Sequence, residues 1–183
     1  MRSLAICLAL LAGSAAAREV EGVEVAEKIS LGGADLKLNG VGLRRATVFN
    51  VKVYVGALYL AAPASDPEAI VRADQPKCMW MRFVRNVRKD KIMGAFHDGF
   101  EKNVGAGARA LEPGLIRAAA AIPGEMKKGM QLAISYVPGK GTTVVGPAGE
   151  VTVEGKPLAD AMLLTLLGTR PSDERLKNAL LGR

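Results

Sequence analysis

The side chains that could do chemistry in this chain are few. Arg44 and Arg45 stand together after a glycine-rich stretch, and Tyr54 follows on a segment that reads as a strand. An arginine and a phenol near an apolar interior make a receptor for one anionic or carbonyl oxygen. The guanidinium supplies a charge-assisted hydrogen bond, about 1.5–3 kcal/mol net, and the phenol a neutral one. On the residues alone an alternative stays open, in which both arginines are surface charges and Tyr54 is a core residue. His97, the single histidine, sits beside Asp98 on a helical segment. Helical neighbours point about 100° apart, so the two do not face one site. No serine elbow, catalytic-cysteine context or carboxylate pair in an apolar run is visible, which leaves nucleophilic and glycosidase chemistry without machinery. One histidine and two cysteines also exclude a histidine metal centre and a Cys-rich zinc fold, so neither metal nor cofactor is expected.

Two glycine patterns carry no phosphate chemistry. Gly105 to Ala110 has dinucleotide-turn spacing but follows a helix instead of a strand, so it reads as a helix-ending loop. Gly139-Lys140-Gly141 reads as a hairpin turn. The basic groups Lys127-Lys128, Arg85 with Arg88, Lys89 and Lys91, and Arg175 with Lys177 and Arg183 lack interleaved aromatics. A nucleic-acid partner is therefore not expected despite a net charge of +7. Attraction to anionic surfaces stays open.

The 183 residues are 49% hydrophobic and 23% charged, the balance of a folded domain with a real core. Met1-Arg2-Ser3 is a short basic start, Leu4 to Ala12 is apolar, and Ala15 and Ala17 form an A-x-A cleavage pattern. Residues 1–17 thus read as a secretory signal peptide and 18–183 as the mature domain, periplasmic or secreted. No charge-free run reaches the roughly 18–20 residues of a membrane span, so no integral span is expected. Cys78 is then the one cysteine left, a type usually buried and inert.

The elements that must position Arg44 and Tyr54 follow from periodicity. Alternation over 20–31 and 34–38 around Gly32-Gly33 predicts a hairpin, and Asn39-Gly40 a second turn. Residues 49–61 form the longest strand candidate. Strict alternation puts Tyr54 on a face that starts polar at Asn50 and Lys52 and ends apolar at Leu58 and Leu60. Further strands are expected over 77–84, 130–137, 142–145 and 150–154. Helices are expected in 63–71, capped by Ser65 or Asp66, and over 89–104, 111–122, 157–167 and 172–181. The order predicts an α+β domain with one antiparallel sheet covered by helices on one face.

Four blocks resemble the bacterial chalcone isomerase-like proteins, and together they extend over nearly all of the chain after the leader. They are Leu38-Asn39-Gly40-Val41-Gly42-Leu43-Arg44, the strand from Lys52 to Leu60, the run from Met81 to Val87, and the ending from Gly155-Lys156-Pro157 to Gly168. The resemblance implies an open-faced β-sandwich, a large antiparallel sheet with helices packed on one face. It implies that Arg44, with Arg45 as the neighbouring choice, is the turn arginine that orients and polarises the substrate in plant isomerases. Tyr54 stands where those enzymes place a threonine, Thr165 retains a hydroxyl in the penultimate helix, and the isomerase tyrosine falls at Ile92. Fatty-acid-binding relatives pair an arginine with a tyrosine to hold a carboxylate. The resemblance thus implies a non-catalytic binder of a small amphipathic carboxylate or phenolic ligand, held by Arg44, Tyr54 and Thr165. One alternative is an isomerase of the intramolecular-lyase type acting on a chalcone-like enone through Arg44 and Thr165. The other is a scaffold whose pocket has closed. Oligomeric state is not legible.

Overall fold

The computed structural model describes residues 17–183. The expected leader lies outside the described residues except for Ala17, which begins the first strand.

Apolar alternation rich in Val, Leu and Ile builds the sheet. Its strands are β3 (Lys28–Leu31), β4 (Ala34–Ala46), β5 (Val51–Leu60), β6 (Lys77–Phe83), β9 (Gln131–Val137), β10 (Gly141–Gly146) and β11 (Gly149–Val153). They pair antiparallel in the order β11-β10-β9-β6-β5-β4-β3. A separate hairpin of β1 (Ala17–Val20) and β2 (Val23–Ala26) precedes it, and β7 (Val87–Arg88) pairs with β8 (Glu125–Met126).

Helices α1 (Pro67–Arg72), α2 (Lys89–Asn103), α3 (Ala108–Ala118), α4 (Pro157–Leu167) and α5 (Glu174–Leu180) complete the chain. Ile92, Phe96 and Phe100 recur at fourfold spacing, which turns one stripe of α2 into the core. Helix α4 is buried on nearly every side and starts with Pro157, whose missing N–H costs nothing there. Asp66 and Asp173 cap α1 and α5 by accepting from backbone N–H groups of the first turn. The main core, including Leu58, Met79, Phe83, Leu132 and Leu166, lies between the sheet and the helices. On the opposite face the β1–β2 hairpin brings Val23 and Val25 onto Leu36, Leu43, Val55 and Ala57. The α+β architecture with helices on one face is therefore as the sequence predicts. No helix among the described residues is long and apolar enough to cross a membrane.

Two local expectations are corrected. Asn39-Gly40 is not a turn: β4 runs straight through it, with Asn39 as the extra residue of a bulge between Leu38↔Tyr59 and Gly40↔Leu58. Tertiary partners hold Asn39 there. Its Nδ2 donates to the carbonyls of Ala64 (2.9 Å) and Leu180 (2.8 Å), and its Oδ1 accepts from Ala64 N–H (2.8 Å). Arg44 and Arg45 accordingly belong to a strand and not to a turn.

The second correction concerns strict alternation along β5. The pairings Arg44↔Tyr54 and Arg45↔Lys52 leave Val53 unpaired, a second bulge. The polar residues Asn50 and Lys52 are thereby taken off the Tyr54 face. Lys52 instead meets Glu21 of the β1–β2 turn at 2.6 Å, while Val51 and Val53 join Tyr54 along one cavity wall.

Candidate functional site

The glycines of β4 decide where Arg44 goes. A Cβ at Gly40 would stand 2.1 Å from the Ala179 carbonyl oxygen, and one at Gly42 would stand 2.6 Å from the Ala179 Cβ. Only bare backbone lets α5 lie this close on the strand. Two residues further along the same face comes Arg44, so the N-terminus of α5 arrives beside its guanidinium. The Arg44 Nη1 lies 3.9 Å from Asp173 Oδ2 and also donates to the Arg45 carbonyl. Asp173 is already engaged: it accepts from Arg45 N–H at 2.7 Å, Arg175 N–H at 2.9 Å and Leu176 N–H at 3.2 Å. Its charge therefore leans on Arg44 without occupying the guanidinium fork. Arg45 points elsewhere, reaching Glu21 at 4.0 Å.

Tyr54 faces Arg44 across the β4–β5 ladder. Its ring packs tilted against Phe83, with centroids 5.6 Å apart, and lies over Gly56, where a Cβ would stand 3.2 Å from Tyr54 Cε2. Burial pushes the phenol up to about 12; the Arg44 guanidinium pulls the other way, and Asp173 adds a smaller upward push. At neutral pH this side chain is a protonated hydrogen-bond donor.

Arg44 and Tyr54 open onto a cavity of about 420 Å³ between the sheet and α2 and α4. That volume is in the range of small-ligand sites. Met81, Phe83, Ile92, Phe96, Leu132 and Leu166 line its depth, all buried. Arg85, Asn86, Arg88 and Lys91 line its exposed mouth. No carboxylate or imidazole is among the lining residues. The cavity can therefore accept a negative oxygen but offers no ordinary base at neutral pH.

Thr165 also reaches the cavity wall. Its hydroxyl donates to the Ala161 carbonyl at 3.1 Å, and its side chain is pressed against Gly99 of α2, where a Cβ would stand 2.3 Å from Thr165 Cγ2. The three residues singled out from the sequence are thus brought together, but Thr165 keeps only acceptor capacity. Ile92 lies in the wall as a purely apolar residue. The space behind Tyr54 is open, so the closed-pocket scaffold does not fit.

The model of the chalcone isomerase-like family matches residues 17–182. The chain belongs to the chalcone isomerase-like family. Among solved structures, this family member is similar to a fatty-acid binding protein of Arabidopsis thaliana, AtFAP1, with a TM-score of 0.70 at 15% identity. The match covers 91% of this chain and 96% of that one, and at such identity it is a likeness of fold. No curated protein matches the chain in sequence. In this chalcone isomerase-like chain, Arg44, Ile92 and Thr165 all line one cavity.

Asp173 and the bulge at Val53 are the site features that sequence reasoning missed. Asp173, expected within the helix of 172–181, instead caps α5 from just outside it, and nothing local placed that cap beside Arg44. A bulge in a run of Val and Tyr leaves no compositional trace.

The remaining reactive groups lie apart from the site. His97 Nδ1 pairs with Glu112 at 3.1 Å on a half-exposed surface. Cys78 is buried under the opposite face, where burial pushes its thiol up to about 12 and leaves it unreactive.

Proposed function

We propose that this protein is a non-catalytic binder of a small amphipathic carboxylate, a fatty-acid-like ligand, acting in the periplasm or outside the cell. One observation carries the reading: an apolar cavity of about 420 Å³ has Arg44 and the protonated Tyr54 as its polar anchor and no acid or histidine in its lining. A carboxylate only accepts hydrogen bonds, so it needs the donors that Arg44 and Tyr54 supply; Thr165, its donor spent on Ala161, shapes the wall. Burying about ten methylenes at roughly 0.8 kcal/mol each contributes near 8 kcal/mol before association costs. A single polar anchor then suffices to set orientation. That AtFAP1 is described as a fatty-acid binding protein agrees with this ligand class.

An isomerase reading draws on one feature, the placement of Arg44 to stabilise an oxyanion. Against it stand Ile92 at the family's tyrosine position and the lack of a base. Native mass spectrometry on protein purified from its own cells should detect a co-purified lipid acid, and a chalcone should not cyclise above the uncatalysed rate. An empty protein that cyclises chalcone, with loss of that rate in Arg44→Ala, would reverse the assignment.

The export part rests on the leader at residues 1–17, with its apolar run and Ala15/Ala17 pattern.

A further inference from the structure

The β4–β5 hairpin ends in two side chains that a turn ordinarily avoids. Val48 and Phe49 are 89% and 84% exposed. Turn tips favour Gly, Asn, Asp, Ser and Pro, because those residues adopt or stabilise the bend. Here the bend is made by the flanking residues instead. Thr47 has φ 63° and Asn50 φ 53°, both left-handed, and for a β-branched residue such as Thr47 that is a strained state. Asn50 N–H donates to the Thr47 carbonyl at 3.2 Å, and Phe49 N–H donates to Thr47 Oγ1 at 3.3 Å. Arg175 of α5 braces the tip by donating to Asn50 Oδ1 at 3.4 Å. Backbone strain is thus accepted to hold an aliphatic and an aromatic side chain in water.

The tip stands at the cavity mouth. Ala46, Thr47 and Val51, on either side of Val48 and Phe49, line the cavity, and Arg85, Arg88 and Lys91 line the same opening. Lys128 N–H donates to Asn86 Oδ1 at 3.0 Å, which brings Lys127-Lys128 to this rim. Arg88 is matched by Asp90 at 2.7 Å, and Glu125 sits against Asn86 at 3.5 Å. Arg85, Lys91, Lys127 and Lys128 form no ion pair among the described residues. An apolar tip beside unpaired cations matches the boundary layer of an anionic bilayer, where apolar side chains enter the acyl region and Lys and Arg meet the headgroups.

We propose that the Val48–Phe49 hairpin docks this protein on anionic phospholipid membranes, with the cavity mouth turned toward the lipid. Docking itself does not depend on what the cavity holds; the transfer of a lipid acid through the mouth rests on the proposed function.

The test is co-sedimentation of the chain with vesicles of phosphatidylglycerol and phosphatidylcholine in equal parts, alongside pure phosphatidylcholine vesicles. Wild type should bind the anionic vesicles, release with added salt, and bind neutral vesicles at least tenfold less. The double substitution Val48→Ser, Phe49→Ser should lower anionic-vesicle binding at least tenfold with an unchanged thermal midpoint, since both side chains are in water. Arg44→Ala should still dock, which separates this surface from the anchor. Wild type that stays in the supernatant, or a double variant that binds as well as wild type, would overturn the proposal. So would a wild-type dimer that the double variant breaks while vesicle binding is absent, because a second copy would then be the occupant.

Discussion

Arg44 and Tyr54 are direct cross-strand partners on β4 and β5, and both face the cavity at the edge of its apolar wall. Regular alternation through Gly42 and Gly56 sets both on this face, and irregular features decide what surrounds them. Gly40 and Gly42 admit α5 against β4, and the bulge at Val53 swings Lys52 away to Glu21. The outcome is a guanidinium and a neutral donor beside the buried apolar wall, with the further cations Arg85, Arg88 and Lys91 at the exposed mouth.

Tyr54 should serve as a donor throughout the neutral range. Its folded value is raised from 10.0 to about 12, so its contribution to stability is complete below pH 10 and is lost as pH climbs toward 12. Denaturation midpoints measured from pH 8 upward should fall for wild type, and less steeply for Tyr54→Phe, which has no proton to lose there. Identical alkaline slopes for the two would count against the buried phenol. At pH 7 the same variant should bind a fatty acid more weakly by about 0.5–1.5 kcal/mol, the value of one neutral hydrogen bond.

Gly40→Ala tests the seating of α5. The added methyl would meet the backbone oxygens of Ala179 and Leu180 at 2.1 and 2.6 Å, and a backbone cannot rotate aside as a side chain can. Urea denaturation should show a loss of about 1–3 kcal/mol, the usual cost of forcing volume into a packed contact. A midpoint equal to wild type would mean that α5 lifts away freely.

Most of the fold was legible because long periodic segments carry their own signal. Helix α4 lies where Pro157 and the apolar run ending at Leu167 put it, and β6, β9, β10 and β11 fall within a residue of the alternation, whereas the two-residue strands β7 and β8 are too short to leave a pattern. Asn39-Gly40 was misleading for a physical reason. The pair has strong local turn preference, but three hydrogen bonds that join the Asn39 side chain to the backbone of Ala64 and Leu180 override it, and those partners are remote in sequence. The grouping of Arg44, Tyr54 and Thr165 was accessible through the family resemblance; the role of Asp173 was not, because it depends on how α5 docks.

The leader makes its own prediction. Protein exported from a bacterial host should have an intact mass beginning at Arg18, as the Ala15/Ala17 pattern requires. A secreted product retaining residues 1–17 would remove the export assignment and leave the cavity untouched.

The anchor is tested most directly by calorimetric titration of dodecanoate into wild type, Arg44→Ala and Arg45→Ala. Losing a charge-assisted hydrogen bond should weaken binding to Arg44→Ala by about 1.5–3 kcal/mol, roughly ten- to a hundredfold. Arg45→Ala should stay close to wild type, since its guanidinium turns toward Glu21 and away from the cavity. Equal dodecanoate affinity in wild type and Arg44→Ala would contradict the account.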